Sequence, residues 1–380
     1  MGEAFSESHA ALPAPRMALP AQIDEIPDRS AVFLLWASEG KPYLAKTALL
    51  RRRLKRLISE RDRVSRLLNL RGVVERIEYW LTGSQLESSL IHLELARQHF
   101  PDDYQRIARI RPVHFLRLTL DNPFPRTMIT TRAGRGLHYG PFASRAAAEH
   151  FEAGVLDLFL LRRCEENLAP SPDHPGCIYG EMKRCLRPCQ QAVSIEEYRR
   201  EADKVAEFLD TRGASLVAIA EAERDRASAE MQFEEAERMH ERLARIKEVQ
   251  GSSGELARSI AELNGIAVAG SAEQDAIELW FLLRGSWQAP VRFRIGEAAG
   301  HAAGLSMDRR VREVVAGAPA NANGAPNPEH LAILLRWFGS SWRDGEWIAF
   351  DSIDKVPYRK LVNAIGRVHH AANAGIAHNG

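Results

Sequence analysis

Apolar and polar positions change period along the chain, and the changes mark its elements. AVFLLW, residues 31–36, is short, apolar throughout and strand-like. A turn at SEGKP and the strand YLA, 43–45, follow it, and a basic helix is expected from Thr47. GVVERIEYWLTG, 72–83, reads as another strand, and SQLESSLIHLELARQHF, 84–100, as an amphipathic helix stopped by Pro101. Farther on, HFLRLTL (114–120), TMITTR (127–132) and RGLHYGPF (135–142) are strand-like, and a helix is expected from Ser144 to Leu161. Residues 195–250 are strongly helical, with a break near Gln232 and Phe233 that predicts two antiparallel helices. IAVAG, AIELWFLL and VRFRI, between 266 and 295, predict a small antiparallel sheet. Between two later helical stretches lies a low-complexity loop, AGAPANANGAPNP, expected to be disordered or a surface excursion, and HHAANAGIAHNG is expected to be a frayed tail.

The pattern predicts an α+β protein. Its expected parts are an unstructured 1–22, a small mixed unit over 23–103, a cysteine-bearing region over 104–200, a helical hairpin over 201–255 and a C-terminal α/β region over 256–380. Composition adds little: 45% hydrophobic and 27% charged residues are ordinary for a globular chain, and no apolar run approaches the 18 or so residues of a membrane span. The first 22 residues lack the apolar run of a signal peptide, so a cytoplasmic location is expected. The formal net charge of +1 hides local asymmetry. Residues 51–71 hold nine basic side chains against Glu60 and Asp62, and residues 101–145 hold eight arginines against three aspartates. Such density suits contact with a polyanion, although a solvated helix face explains any single run equally well.

All four cysteines, Cys164, Cys177, Cys185 and Cys189, fall within 26 residues, with spacing C-x12-C-x7-C-x3-C. A shared metal centre accounts for this grouping better than four independent thiols, with buried apolar thiols or redox pairs as alternatives. The spacing departs from the paired C-x2-C knuckles of zinc ribbons and suits the wider ligand set of an iron–sulfur cluster. His174, inside the window, could replace a cysteine in a zinc site but reads as a loop residue.

The window, preceded by HYGPF and FLLRRC and followed by a helix and FEEAE, resembles the UvrC family, an excinuclease component of bacterial nucleotide excision repair. The resemblance runs from about Ile26 to Leu361, and its first part is similar to that family's GIY-YIG nuclease domain. It ends before the family's RNase H-like domain and helix-hairpin-helix module, so it implies the half associated with the first incision; Asp351 is expected to be a strand-end residue. The family implies that the cysteines hold a four-iron, four-sulfur cluster, with zinc the alternative. It also implies that the hairpin over 220–250 is a UVR motif docking on a UvrB-type subunit. Met231, Phe233, Glu234, Ala236, Leu243 and Ile246 are its candidate partner-binding residues, and damaged double-stranded DNA is the implied second partner.

Aligned with GIY-YIG enzymes, Tyr43 is the implied general base, Lys46 and Arg53 the phosphate-binding basic residues, and Ala45 stands at the last glycine of YIG. Two positions depart from the family: Phe33 occupies the place of the first tyrosine, and His92 that of the metal-binding glutamate on the TGSQLE helix. Magnesium prefers hard oxygen ligands, and a neutral imidazole is a poor substitute. At about 100° per residue, Glu94 is roughly 200° and Glu87 roughly 140° around the helix from His92. Two readings follow. One is a repair factor with a degenerate nuclease domain that binds DNA and a UvrB-type partner through the basic face, the cluster and the hairpin; the other is an active endonuclease using Mg or Mn to make one incision beside a lesion.

Overall fold

The computed structural model describes residues 12–58, 69–134, 136–295, 307–317 and 326–377. Part of the basic run after Ile58, Arg135, most of the low-complexity loop and the last three residues lie outside them. The chain is α+β, a mixture of helices and small antiparallel sheets, gathered into two compact units. One combines residues up to Arg111 with most of those from Asn264 onward; the other is chiefly Pro112–Leu263.

The first unit opens with a four-stranded antiparallel sheet. Its strands are β1 (Arg16–Ala18), β2 (Ala31–Trp36), β3 (Tyr43–Thr47) and β4 (Arg76–Leu81), in the order β1-β4-β2-β3. The unbroken apolar run of β2 has its explanation in burial on both faces. Ala31, Phe33 and Leu35 pack with Leu50, Leu54 and Leu57 of α1 (Leu50–Ile58), while Val32 and Leu34 pack with Ile91 and Leu95 of α2 (Gln85–His99). Ser84 caps α2, its Oγ accepting from the Glu87 amide at 3.1 Å, and a short α3 (Tyr104–Ile107) follows. Residues 12–22 correct the expectation of an unstructured start. β1 adds to the sheet edge through backbone pairing with β4, and the Trp80 indole donates to the Pro13 carbonyl at 2.7 Å. Exposed Met17 and Leu19 show why side-chain patterning did not reveal this strand.

In the second unit β5 (His114–Leu118), β6 (Thr127–Thr130), β7 (Leu137–Phe142) and β8 (Arg258–Ser259) form a sheet ordered β6-β5-β7-β8. Around it lie α4 (Arg145–Leu158), the one-turn α5 (Ile178–Glu181), α6 (Ile195–Asp210), α7 (Ala214–Ala229) and α8 (Phe233–Ser252). The core joins Leu116, Tyr139 and Phe142 to Phe151, Tyr198, Phe208, Leu243 and Ile246, with the Tyr139 and Phe151 rings stacked at 5.1 Å. α4 stops three residues before the expected Leu161. Beyond it α6 side chains take up the backbone donors: Leu160 N–H bonds the Glu201 carboxylate at 2.9 Å and Arg162 N–H the Tyr198 hydroxyl at 2.9 Å. The helical hairpin forms as predicted, with Met231 in the left-handed region (φ 59°) at its turn.

The chain then returns to the first unit as β9 (Asn264–Gly270), β10 (Ala276–Leu283), β11 (Ser286–Trp287), β12 (Val291–Arg294) and β13 (Gly345–Phe350). The sheet order is β11-β10-β9-β13, with β12 also paired to β10. The helices of this part are α9 (Met307–Ala316), α10 (Pro328–Phe338) and α11 (Tyr358–Ala377). The expected frayed tail is helical as far as Ala377: Leu361, Ile365 and Val368 bury one side of α11, and Arg367 makes two 2.6 Å contacts to Glu346 of β13. Asp351 follows β13 and is exposed. Gly83, at the entry to α2, lies against the backbone of Gly270 and Ser271, where a Cβ would overlap the Ser271 main chain.

Candidate functional site

The strand β3 sorts the nuclease-like residues by parity. Tyr43 and Ala45 face the α1 side with Phe33, whereas Leu44 faces the α2 side, and Lys46 reaches α2 to donate to Ser89 Oγ at 3.0 Å. On the α1 side, Arg53 Nη2 is 3.4 Å from the Tyr43 hydroxyl. On the α2 side His92, three residues past Ser89, is 9% exposed. Four candidate residues thus form two pairs, Tyr43 with Arg53 and Lys46 with His92, on opposite faces of an edge strand. Phe33 is fully buried in the α1-side core, its ring 6.3 Å from that of Tyr43.

Electrostatics on the α2 side is set by cations. Burial, then the charges of Lys46, Arg336 and Arg109, pushes His92 down to about 4, so its imidazole is neutral at physiological pH. Burial, then Arg336 and Arg109, lowers Lys46 to about 8. The carboxylates of α2 point elsewhere. Glu94 pairs with Arg97 at 3.6 Å, and Glu87 accepts from Gly83 N–H at 2.7 Å and is pushed up to about 8 by burial and by Glu278. Arg336 and Arg109 escaped the sequence reading because nothing in their local spacing links them to α2.

The cysteine window is anchored by two buried side chains. Arg162, 1% exposed, donates from Nε to the Phe124 carbonyl (3.0 Å) and from Nη1 to the carbonyls of Cys164 (3.2 Å) and Glu166 (2.7 Å), with Cys164 Sγ at 3.7 Å. Tyr198 donates to the Pro125 carbonyl and accepts from Arg162 N–H, both at 2.9 Å. The loop closes on itself through Ser171 N–H to the Cys189 carbonyl (2.9 Å) and Gln190 Nε2 to the His174 carbonyl (3.1 Å). His174 Nδ1 accepts from Gly176 N–H at 3.0 Å, a structural bond within the loop. Lys183, Arg187 and Gln191 all adopt left-handed conformations, so the backbone coils tightly about Cys185 and Cys189. An arginine in the apolar run FLLRRC was the available sign of Arg162, and it went unread.

Cys185 and Cys189 are buried, Cys164 is half-buried and Cys177 exposed. The Cys185 thiol is pushed up to about 11, by burial first and then by Cys164, Cys177 and Cys189, while the Arg187 amide at 3.4 Å opposes the shift. The four sulfurs therefore lie within one another's electrostatic reach, and a bound positive centre would turn that mutual repulsion into attraction. Among the described residues no three His, Cys, Asp or Glu side chains are already drawn together as a metal-ligand group. The donor set fits a thiolate-held metal centre in identity and number.

The candidate partner-binding residues divide. Met231 and Phe233 are 76% and 71% exposed and Glu234 is exposed, while Ala236 is half-buried. Leu243 and Ile246, expected to form a seam with a partner, are instead buried in the chain's own core with Leu216 and Ala220 of α7. α7 and α8 close on each other, helped by Lys247–Glu221 at 3.2 Å, and this covers the far half of the expected seam. Among the described residues no helix is long and apolar enough to cross a membrane.

Residues 113–208, which include the whole cysteine window, match the family model of the UvrC/Cho excinuclease middle domain. The chain is similar to UvrABC system protein C of Lachnospira eligens, 24% identical over 79% of this chain and 50% of that one. It is likewise similar to the same-named protein of Dehalococcoides mccartyi, at 26% over 71% and 45% of the respective lengths. For the one of Rickettsia prowazekii the values are 30% over 62% and 38%. The chain spans half or less of these curated relatives. No solved structure matches it. The resemblance read from the sequence, to the N-terminal half of UvrC proteins, is borne out.

Proposed function

We propose that this chain is a nucleotide excision repair factor that binds DNA and, through its helical hairpin, a UvrB-type subunit, and whose nuclease-like domain does not cut. One observation carries the reading. The position that would supply a metal-binding carboxylate holds buried, neutral His92 among Lys46, Arg109 and Arg336, and the nearby carboxylates of α2 are engaged elsewhere. A divalent ion brought there meets cations before ligands. The alternative, an endonuclease making one incision, draws on the Arg53–Tyr43 contact, which joins a phosphate clamp to a candidate base. A nicking assay on a lesion-bearing duplex with magnesium or manganese separates the two. No cutting by the native chain is expected, and metal-dependent cutting abolished by Tyr43→Phe overturns the reading.

The cysteines complete the proposal: Cys164, Cys177, Cys185 and Cys189 hold a four-iron, four-sulfur cluster. When bound, that group supplies a cross-link between loop segments and a redox-capable centre. Arg162 and Tyr198 hold the loop in register for it. Iron and sulfide analysis after anaerobic purification tests this assignment, and one equivalent of zinc without sulfide refutes it. Docking on the UvrB-type partner is assigned to the exposed hairpin tip, where two large apolar side chains stand in solvent. Met231→Ser with Phe233→Ser is the appropriate variant, because removing residues 220–250 would also remove Leu243 and Ile246 from the core. Retention of UvrB unchanged by the double substitution rules out the tip.

A further inference from the structure

Trp342 is 84% exposed, the highest value for a large apolar side chain among the described residues. Tryptophan is on average well buried, since its ring system carries a large apolar area, so an indole standing in water calls for a reason. The turn that presents it, between α10 and β13, is tied down at several points. Gly339 N–H closes α10 on the Leu335 carbonyl at 3.0 Å, and Arg343 N–H bonds the Ser340 carbonyl at 3.2 Å. Ser340 Oγ accepts from the Trp342 amide at 3.1 Å. Asp344 clamps the base of the turn, one oxygen accepting from the Trp337 indole at 3.1 Å and the other from Gln85 N–H of α2 at 2.6 Å. Gly345, which opens β13, lies so close to the Val268 carbonyl of β9 that a Cβ would overlap it. The backbone is held on both sides while the indole takes no part in a core.

The surroundings of the ring select its partner. Residues 336–344 carry Arg336 and Arg343 against Asp344 alone, and both Asp344 oxygens are used inside the turn. Arg343 lies over the Phe338 ring at 4.8 Å and donates from Nη1 to the Phe338 carbonyl at 3.5 Å, which fixes a guanidinium on the residue next to Trp342. Arg336 Nη1 donates to the carbonyls of Ala108 (3.3 Å) and Arg109 (3.2 Å), so the arginine-rich stretch 106–111 meets the same end of α10. Between residues 326 and 358 no other large apolar side chain is exposed. A stable protein interface needs a contiguous patch of about 800 Å² a side with an apolar centre. One isolated ring among glycine, serine and arginine matches instead the flat face of a single base, with phosphates for the cations.

We propose that Trp342 stacks on an unpaired nucleobase of a DNA strand, with Arg343 on a neighbouring phosphate. A paired base has both faces covered by its neighbours in the stack, so the indole takes a base only from an open strand or one displaced from the duplex. Rigid display of the ring means that little ordering is lost on contact. The inference rests on the DNA-binding part of the proposed function and names one contact through which that binding occurs.

The test measures binding of the full chain, over a range of salt concentrations, to three probes: a twelve-nucleotide deoxyoligonucleotide, its fully paired duplex, and that duplex with a central unpaired bulge. Trp342→Ala should weaken binding of the single strand and the bulged duplex about tenfold, the loss of one base–aromatic stack, and Trp342→Phe less than about threefold. The paired duplex should change less than about twofold. Because the indole is uncharged, Trp342→Ala should leave the slope of log affinity against log salt unaltered, whereas Arg343→Gln should reduce the single-strand slope by about 0.7. 2-Aminopurine in the bulge should lose fluorescence on binding the native chain and keep it with Trp342→Ala. Unaltered binding of the single strand and bulged duplex by Trp342→Ala, in a chain with native circular dichroism, overturns the inference. An equal loss on the paired duplex, or a changed salt slope, does so as well. Loss of UvrB retention by Trp342→Ala with DNA binding intact would assign the ring to a protein partner and overturn it too. Failure of the native chain to bind any of the three probes would defeat the DNA-binding reading itself and this contact with it, so the two failures are distinguishable.

Discussion

The cysteine window and the α2 face of the first unit hold their positive charge in opposite ways. In the window an arginine is fully buried, yet each donor used is matched by a carbonyl: Phe124, Cys164 and Glu166 accept from Arg162. On the α2 face the cations are exposed: Lys46, Arg109 and Arg336 act on buried His92 through space, and none of them is sunk into the core. A buried charge matched by local acceptors builds structure, whereas exposed charges shape the protonation of a buried neighbour from a distance.

The largest expected effect tests the first half of that contrast. Arg162→Leu leaves the Phe124, Cys164 and Glu166 carbonyls without their donor, the first of them in a buried bond, and should cost about 3–5 kcal/mol in urea unfolding. A loss below about 1 kcal/mol would mean that the window does not depend on this anchor. Next comes a buried charge that the fold avoids by protonation. Glu87 is pushed up to about 8 by burial and then by Glu278, against the Gly83 hydrogen bond and Arg292, which itself contacts Glu278 at 3.2 Å. Because the folded value lies above the unfolded one, this group's contribution to stability is fully present below about pH 4.5 and is lost as pH rises through about 8. Glu87→Gln should flatten that profile and stabilise the chain at pH 8 by on the order of 3 kcal/mol, read from urea midpoints between pH 5 and 9. A wild-type profile already flat over that range contradicts the shared burial of the two carboxylates.

Phe33→Tyr puts a hydroxyl into a core site with no exposure and should cost about 1–2 kcal/mol without conferring magnesium-dependent cutting. A neutral change in Tm accompanied by nicking would show that the pocket lacks only its phenol. The smallest effect on stability belongs to Phe233→Ser at the hairpin tip, within about 0.5 kcal/mol, with UvrB retention lost in pull-down. A large loss of stability there would identify Phe233 as a packing residue instead.

Much of the architecture was legible because local patterns carried it. The apolar run of β2, the alternation in the later sheet and the helical period on either side of Gln232 each predicted an element that forms. What escaped depends on partners distant in sequence. β1 exists through backbone bonds to β4, α4 is cut short by side chains of α6, and α11 continues through the histidines because β13 offers Glu346 to Arg367. In the hairpin, periodicity identified an apolar stripe but not which part of it the chain covers with its own α7.

By itself the sequence determined the α+β class and the grouping of Cys164, Cys177, Cys185 and Cys189, since each is a property of residue identity and spacing along the chain. Tertiary structure alone decided that Tyr43 and Arg53 face away from Lys46 and His92, because strand parity acts only once helices cover both faces. It alone brought Arg336 and Arg109 to His92. Charge acts through space over distances that sequence separation does not measure, and burial magnifies it where water is excluded.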